Sequence, residues 1–123
     1  MSSPGVAIVG CGLIGTRRAA TLGDARLVVC ADVVLDRALR LAATVPGCKA
    51  VTDWKEAIGD ADVSLVIVAT LHDSLAEVAR AAVAAGKHVL IEKPAARRAA
   101  ELTGIIQAAA ASGSLVRVGF NHR

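Results

Sequence analysis

Gly10, Gly12 and Gly15 recur at the spacing that bare backbone needs to cradle an anion. They stand in the run Gly10-Cys11-Gly12-Leu13-Ile14-Gly15, directly behind the apolar stretch Val6-Ala7-Ile8-Val9. A pyrophosphate is held by backbone N–H groups at a helix start, where aligned peptide dipoles favour negative charge. Gly10 permits the tight turn, Gly12 lets backbone approach the phosphates, and Gly15 lets helix and strand pack closely. Leu13 and Ile14 open the helix that follows. Glycines also gather in ordinary turns that need a positive φ. Here a strand precedes the motif and a helical stretch follows it, the context a dinucleotide turn requires.

Asp32 lies about twenty residues after Gly12, at the end of the next apolar run, Leu27-Val28-Val29-Cys30-Ala31. A carboxylate in that place accepts hydrogen bonds from the ribose hydroxyls of an adenosine. A 2′-phosphate would meet like charge there, at a cost of roughly several kcal/mol once desolvated. NAD is therefore expected over NADP. Arg37 keeps NADP open, because a guanidinium nearby could neutralise the phosphate. The structural alternative for Asp32 is a cap on the helix that contains Asp36 and Arg37.

Glu92-Lys93-Pro94 follows another buried-looking strand, and the proline fixes the chain direction. A lysine at such an edge can hydrogen-bond a hydroxyl and help polarise a carbon that exchanges hydride, although most lysines before prolines are surface side chains. Thr70 to Asp73 and Asn121 to Arg123 are the remaining polar clusters placed after strands.

The elements that position these groups alternate strand with helix. A helix is expected from Leu13 to Leu22, stopping at Gly23, and another from Leu35 to Thr44, ended by Pro46-Gly47. A short strand lies near Lys49-Ala50-Val51. Asp53-Trp54-Lys55-Glu56 reads as a capping box with Gly59 closing its helix, and Ser74-Leu75-Ala76-Glu77 as a second box with Gly86 as the stop. Val63 to Ala69 reads as a central parallel strand, apolar on both faces, and His88 to Ile91 as the fifth strand. A helix from about Arg98 to Ala111 leads to a sixth strand, Leu115 to Val118. Parallel neighbours need crossover helices, so the pattern predicts an α/β fold, a Rossmann-type doubly wound parallel sheet of about six strands in one domain, residues 1–123. Ligands of such sheets cross the carboxyl ends of the strands.

Composition narrows the classes. The 123 residues suit one domain with a real core. Apolar residues reach 54%, yet no run approaches the 18 or more residues of a membrane span. No secretory signal opens the chain. Net charge is +3, but the 14 basic residues are spread out and aromatics are 2%, too few for a base-stacking surface, so nucleic acid is not expected. Cys11, Cys30 and Cys48 have no metal-type spacing and read as apolar fillers and one loop thiol, consistent with a reducing cytoplasm. No metal site is expected. His88, opening a strand, reads as structural.

The run Ala85 to Pro94 resembles the EKP signature of the Gfo/Idh/MocA oxidoreductases, which use NAD(P) and act mainly on sugars, polyols and sugar nucleotides. Gly10 to Gly15 looks like their phosphate loop, and Gly119-Phe120-Asn121-His122-Arg123 resembles the segment ending their nucleotide-binding half. The resemblance implies that Lys93 lies beside the nicotinamide and substrate hydroxyl as the catalytic lysine, with Glu92 near the nicotinamide ribose and Asn121 in the cofactor set. In the loop after the fourth strand the family commonly reads Thr-Pro-Asn, with a histidine three residues beyond. Thr70 matches, whereas Leu71, His72 and Leu75 depart. His72 either replaces the asparagine as a cofactor contact or caps the next helix. The resemblance further implies a C-terminal α+β domain, expected to be absent from this chain, that carries most substrate contacts and the dimer interface. The expected function is the cofactor-binding half of a sugar or polyol oxidoreductase, inactive alone and self-associating. The alternatives are a stand-alone dinucleotide-binding or sensing module and a degenerate fragment that binds nothing.

Overall fold

The computed structural model describes residues 5–12, 25–69, 74–91, 113 and 116–118, with the backbone alone for 74–76 and 116–118. The strands are β1 (Gly5–Val9), β2 (Arg26–Ala31), β3 (Lys49–Val51), β4 (Leu65–Val68), β5 (His88–Ile91) and β6 (Val116–Val118). They form one six-stranded sheet in the order β3-β2-β1-β4-β5-β6, and every neighbouring pair is parallel. The order reverses between β1 and β4, where an open α/β sheet leaves a crevice at its carboxyl ends. The expected six-stranded parallel sheet is present.

Helices cover both faces, as double winding requires. On one face Val6, Ile8, Leu27, Cys30 and Ile67 pack with Ala38, Leu41 and Ala42 of α1 (Leu35–Ala42). On the other, Ala7, Val9, Val66, Val68, Val89 and Ile91 pack with Ala57 and Ile58 of α2 (Trp54–Ile58) and Val78, Ala79, Ala82 and Val83 of α3 (Ser74–Ala84). Alternation along β1 sends successive side chains to opposite faces. In β2 it is interrupted: Val6 pairs with Leu27 but Ala7 with Val29, so Val28 is an extra residue and shares a face with Val29. Burial of Ile8, Ile67 and Ile91 contributes about 1.5–3 kcal/mol each. The exposed Asp36–Arg40 pair on α1 spans 3.0 Å and adds at most about 0.5 kcal/mol. The apolar layers, not surface charge, hold the sheet together.

Several boundaries differ from the sequence reading. The first described helix ends at Ala42, because Thr44 folds back on Leu41 through both its amide (3.1 Å) and its hydroxyl (2.7 Å). β4 is shorter than Val63 to Ala69, since Val63 closes a turn onto Asp60, although Ser64 and Ala69 still donate to β1 carbonyls. Asp53 caps α2 through the Lys55 amide at 2.9 Å rather than as a reciprocal box with Glu56. Ser74 occupies the first position of α3 instead of preceding it. Gly86 stops that helix as expected, at φ +80°, with the Lys87 amide turned back onto Ala82. His88 is exposed where it opens β5. The helices expected at 13–22 and 98–111 lie outside the described residues.

Candidate functional site

Beyond Val9 the chain leaves the sheet at Gly10, whose φ of +99° lies in the region that L side chains rarely adopt. Gly10 donates its amide to Ala31 O at 2.8 Å. The next amide, of buried Cys11, donates to Asp32 Oδ2 at 2.7 Å, and the Cys11 thiol reaches Ala31 O at 3.4 Å. The turn after β1 is thus fastened to the end of β2.

Asp32 is the sole buried charged side chain among the described residues, 9% exposed. Its second oxygen, Oδ1, accepts from the Val34 amide at 2.8 Å, and its own amide donates to Val51 O at 3.1 Å. Two amide bonds to a carboxylate are charge-assisted and fix its orientation. Each oxygen retains acceptor capacity, so the group is presented to hydroxyl donors. It does not cap α1: the cap position is Val34, which makes no side-chain cap bond. The alternative reading of Asp32 is therefore modified, because the carboxylate organises the two loops rather than the helix.

Gly12 is the informative neighbour. Among the described residues a Cβ added there meets no atom within 4 Å, and its φ is not positive. Neither its backbone conformation nor any packing among the described residues requires glycine at this position. Beside Asp32, Val33 (78% exposed) and Val34 (44%) face solvent, with Leu35 and Leu39 also exposed on α1. This apolar shelf was missed from the sequence, although Val33-Val34-Leu35 behind a strand-end aspartate was its signal. The Cys11 amide was missed as well, and no side-chain pattern announces it. Arg37 is exposed in the first turn of α1.

The site residues Leu13, Ile14, Gly15, Thr70, His72, Glu92, Lys93 and Asn121 lie outside the described residues. Among the described residues no group of three His, Cys, Asp or Glu side chains could hold a metal, and no helix is long and apolar enough to cross a membrane.

A six-stranded parallel sheet in this order, with a glycine turn bonded to a strand-end aspartate at the reversal point, defines a dinucleotide-binding domain of the Rossmann class. The model of an oxidoreductase family with an NAD-binding Rossmann fold matches residues 5–120, and the chain belongs to that family, Gfo/Idh/MocA. Inositol 2-dehydrogenase 1 of Mycolicibacterium vanbaalenii is 38% identical over 128 aligned positions, covering 100% of this chain and 37% of the relative. Inositol 2-dehydrogenase of Rhodococcus erythropolis is 37% identical, over 96% of this chain and 36% of its own length. Among solved structures, GenD2 from gentamicin A biosynthesis, in complex with NAD, superposes with a TM-score of 0.87 at 30% identity, covering 97% of this chain and 35% of GenD2. The 3-ketoreductase KijD10 of Actinomadura kijaniata, in complex with TDP-benzene and NADP, gives 0.85 at 27% identity, over 97% and 39%. The chain therefore spans a little over a third of the length of these relatives. Of these two solved structures, GenD2 carries NAD and KijD10 carries NADP.

Proposed function

We propose that residues 1–123 are the cofactor-binding domain of an oxidoreductase that moves hydride between a nicotinamide and the hydroxyl-bearing carbon of a sugar, polyol or sugar nucleotide. The observation that carries this reading is Gly12, a glycine with neither a conformational reason nor a steric one among the described residues, set beside the amide-held carboxylate of Asp32. Bare backbone there admits a pyrophosphate. Asp32 accepts the adenosine ribose hydroxyls and disfavours a 2′-phosphate, which supports NAD over NADP. The Val33-Val34 shelf offers an apolar surface for the adenine face.

A bound nicotinamide supplies the hydride acceptor or donor. The chain's own contribution to the chemical step is assigned to Lys93, which would hydrogen-bond the substrate hydroxyl and assist its proton's departure. Glu92, Thr70, His72 and Asn121 complete the assigned cofactor set with Gly10, Leu13, Ile14, Gly15 and Arg37. The roles of Lys93, Glu92, Thr70, Asn121 and the glycine turn rest on the sequence match, those of His72 and Arg37 on their places after strands, and the inositol 2-dehydrogenases among the relatives support a polyol substrate. A homo-oligomer and a cytoplasmic setting belong to the same proposal. The resemblance supports the first, and three free cysteines support the second.

Gly12→Val tests the reading. Its circular dichroism and melting temperature should match the parent while NADH binding weakens on the order of a hundredfold. A variant that folds and still binds NADH with parental affinity would refute the assignment of Gly12.

A further inference from the structure

All three thiols are free, and they share one apolar cluster on the α1 face of the sheet. Cys30 lies near the carboxyl end of β2 and is fully buried. Cys48 stands just before β3, half-buried, behind Gly47 at φ +82°. Cys30 pairs across the sheet with Ala50. That register puts Cys30 and Cys48 on the same face of neighbouring strands, with their Sγ atoms 3.5 Å apart. Forming an S–S bond of ~2.05 Å needs an approach of about 1.5 Å. Pro46 and Gly47, in the loop ahead of β3, are exposed, so movement of Cys48 from that side meets little packing among the described residues.

We propose that Cys48 and Cys30 are an oxidisable pair that a hydroperoxide converts to an intramolecular disulfide. The Cys48 thiolate attacks the peroxide, an S–O bond forms as the O–O bond breaks, and hydroxide or alkoxide leaves with a Cys48 sulfenic acid behind. The Cys30 sulfur then attacks the Cys48 sulfur. The S–O bond breaks, the Cys30 proton leaves with the hydroxyl as water, and the two thiols have lost two electrons to one peroxide. The division of roles follows from the surroundings. A hydrogen bond from Cys30 pushes the Cys48 thiol down, against some desolvation. Hydrogen bonds with Cys11 and Cys48, together with burial, push Cys30 far up and keep it a thiol. Cys11 is engaged with Ala31 O and is not needed. The bond would tie β2 to β3 two residues from Asp32.

The test is a thiol count on the whole chain after one equivalent of hydrogen peroxide, labelled under denaturing conditions. The parent should fall from three reactive thiols to one. Its mass should drop by about 2 Da, its peptides should link Cys30 to Cys48, and dithiothreitol should restore all three thiols. Cys11→Ser should form the same link, falling from two reactive thiols to none. Cys48→Ser should keep its two thiols, and Cys30→Ser, checked for folding by circular dichroism, should leave a Cys48 sulfenic acid that dimedone traps. Three surviving thiols in the parent, a link that uses Cys11, or a disulfide formed only between chains would each overturn the proposal.

Discussion

At the amino end of the sheet the chain closes on itself, whereas at the carboxyl end Gly12 has no close neighbour among the described residues. A Cβ on Gly5, at the start of β1, would sit 1.8 Å from the Asp62 carbonyl oxygen and 3.1 Å from Val28 Cγ2. Around it Lys87 Nζ donates to the carbonyls of Val63 (2.6 Å) and Asp60 (3.1 Å), and Lys49 pairs with the Asp60 carboxylate. Polar groups at that end are consumed by the fold. Beyond the other end of the strand a Cβ on Gly12 meets nothing among the described residues. There Asp32 spends one lone pair of each oxygen on a backbone amide and keeps the rest. Of these two glycines, one is needed for packing and the other has no packing neighbour among the described residues. The difference separates a residue that serves the fold from one that serves a ligand.

Substitutions at those two glycines should break the comparison most sharply. Gly5→Ala must displace the Asp62 backbone, and a loss of about 3 kcal/mol or more in urea unfolding is expected. A stability within experimental error of the parent would show that the amino end is not closed as described. Gly12→Val should leave unfolding unchanged and cost NADH affinity on the order of a hundredfold, ~2.7 kcal/mol, measured by fluorescence titration. Equal losses of stability at both positions would erase the distinction between them.

Asp32→Asn sharpens the comparison further, because the carboxylate serves both purposes. The amide turns one acceptor into a donor, so one of the Cys11 and Val34 amides loses its partner. About 1 kcal/mol of stability should go with it, and NADH should weaken by roughly tenfold, with its preference over NADPH reduced. Loss of stability with binding preference intact would make Asp32 a loop organiser only.

The smallest effect belongs to the amino end and is read against pH. Hydrogen bonds from Lys49 and from the Asp62 amide hold the Asp60 carboxyl below its ordinary value. Because its folded value is depressed, its stabilising contribution is fully present above the ordinary carboxylate range. It is lost as pH falls through that range to the lowered value. Asp60→Asn should flatten this acid limb of the melting temperature while leaving neutral-pH NADH binding untouched. A parallel acid limb in the variant would remove Asp60 from the account.

Much of the scaffold was legible because each signal was local. Val6 to Val9, Val66 to Val68 and Val89 to Ile91 announce buried strands by composition, and Gly47 and Gly86 mark stops that need a positive φ. Gly10, Gly12 and Asp32 were readable from spacing alone. Relations set by register were not. The extra residue at Val28, the contact between Cys30 and Cys48, and the collision awaiting any side chain at Gly5 depend on how parallel strands align across long connections. The bond from the Cys11 amide to Asp32 is likewise invisible in residue types, since every residue but proline carries that donor.

The central claim is that the open carboxyl end takes a dinucleotide through Gly12 and Asp32. Calorimetric titration of the 123-residue chain with NADH and, in parallel, NADPH tests it most directly. The account predicts saturable binding at one site, tighter for NADH. A folded chain that binds neither, or that prefers NADPH, would contradict it.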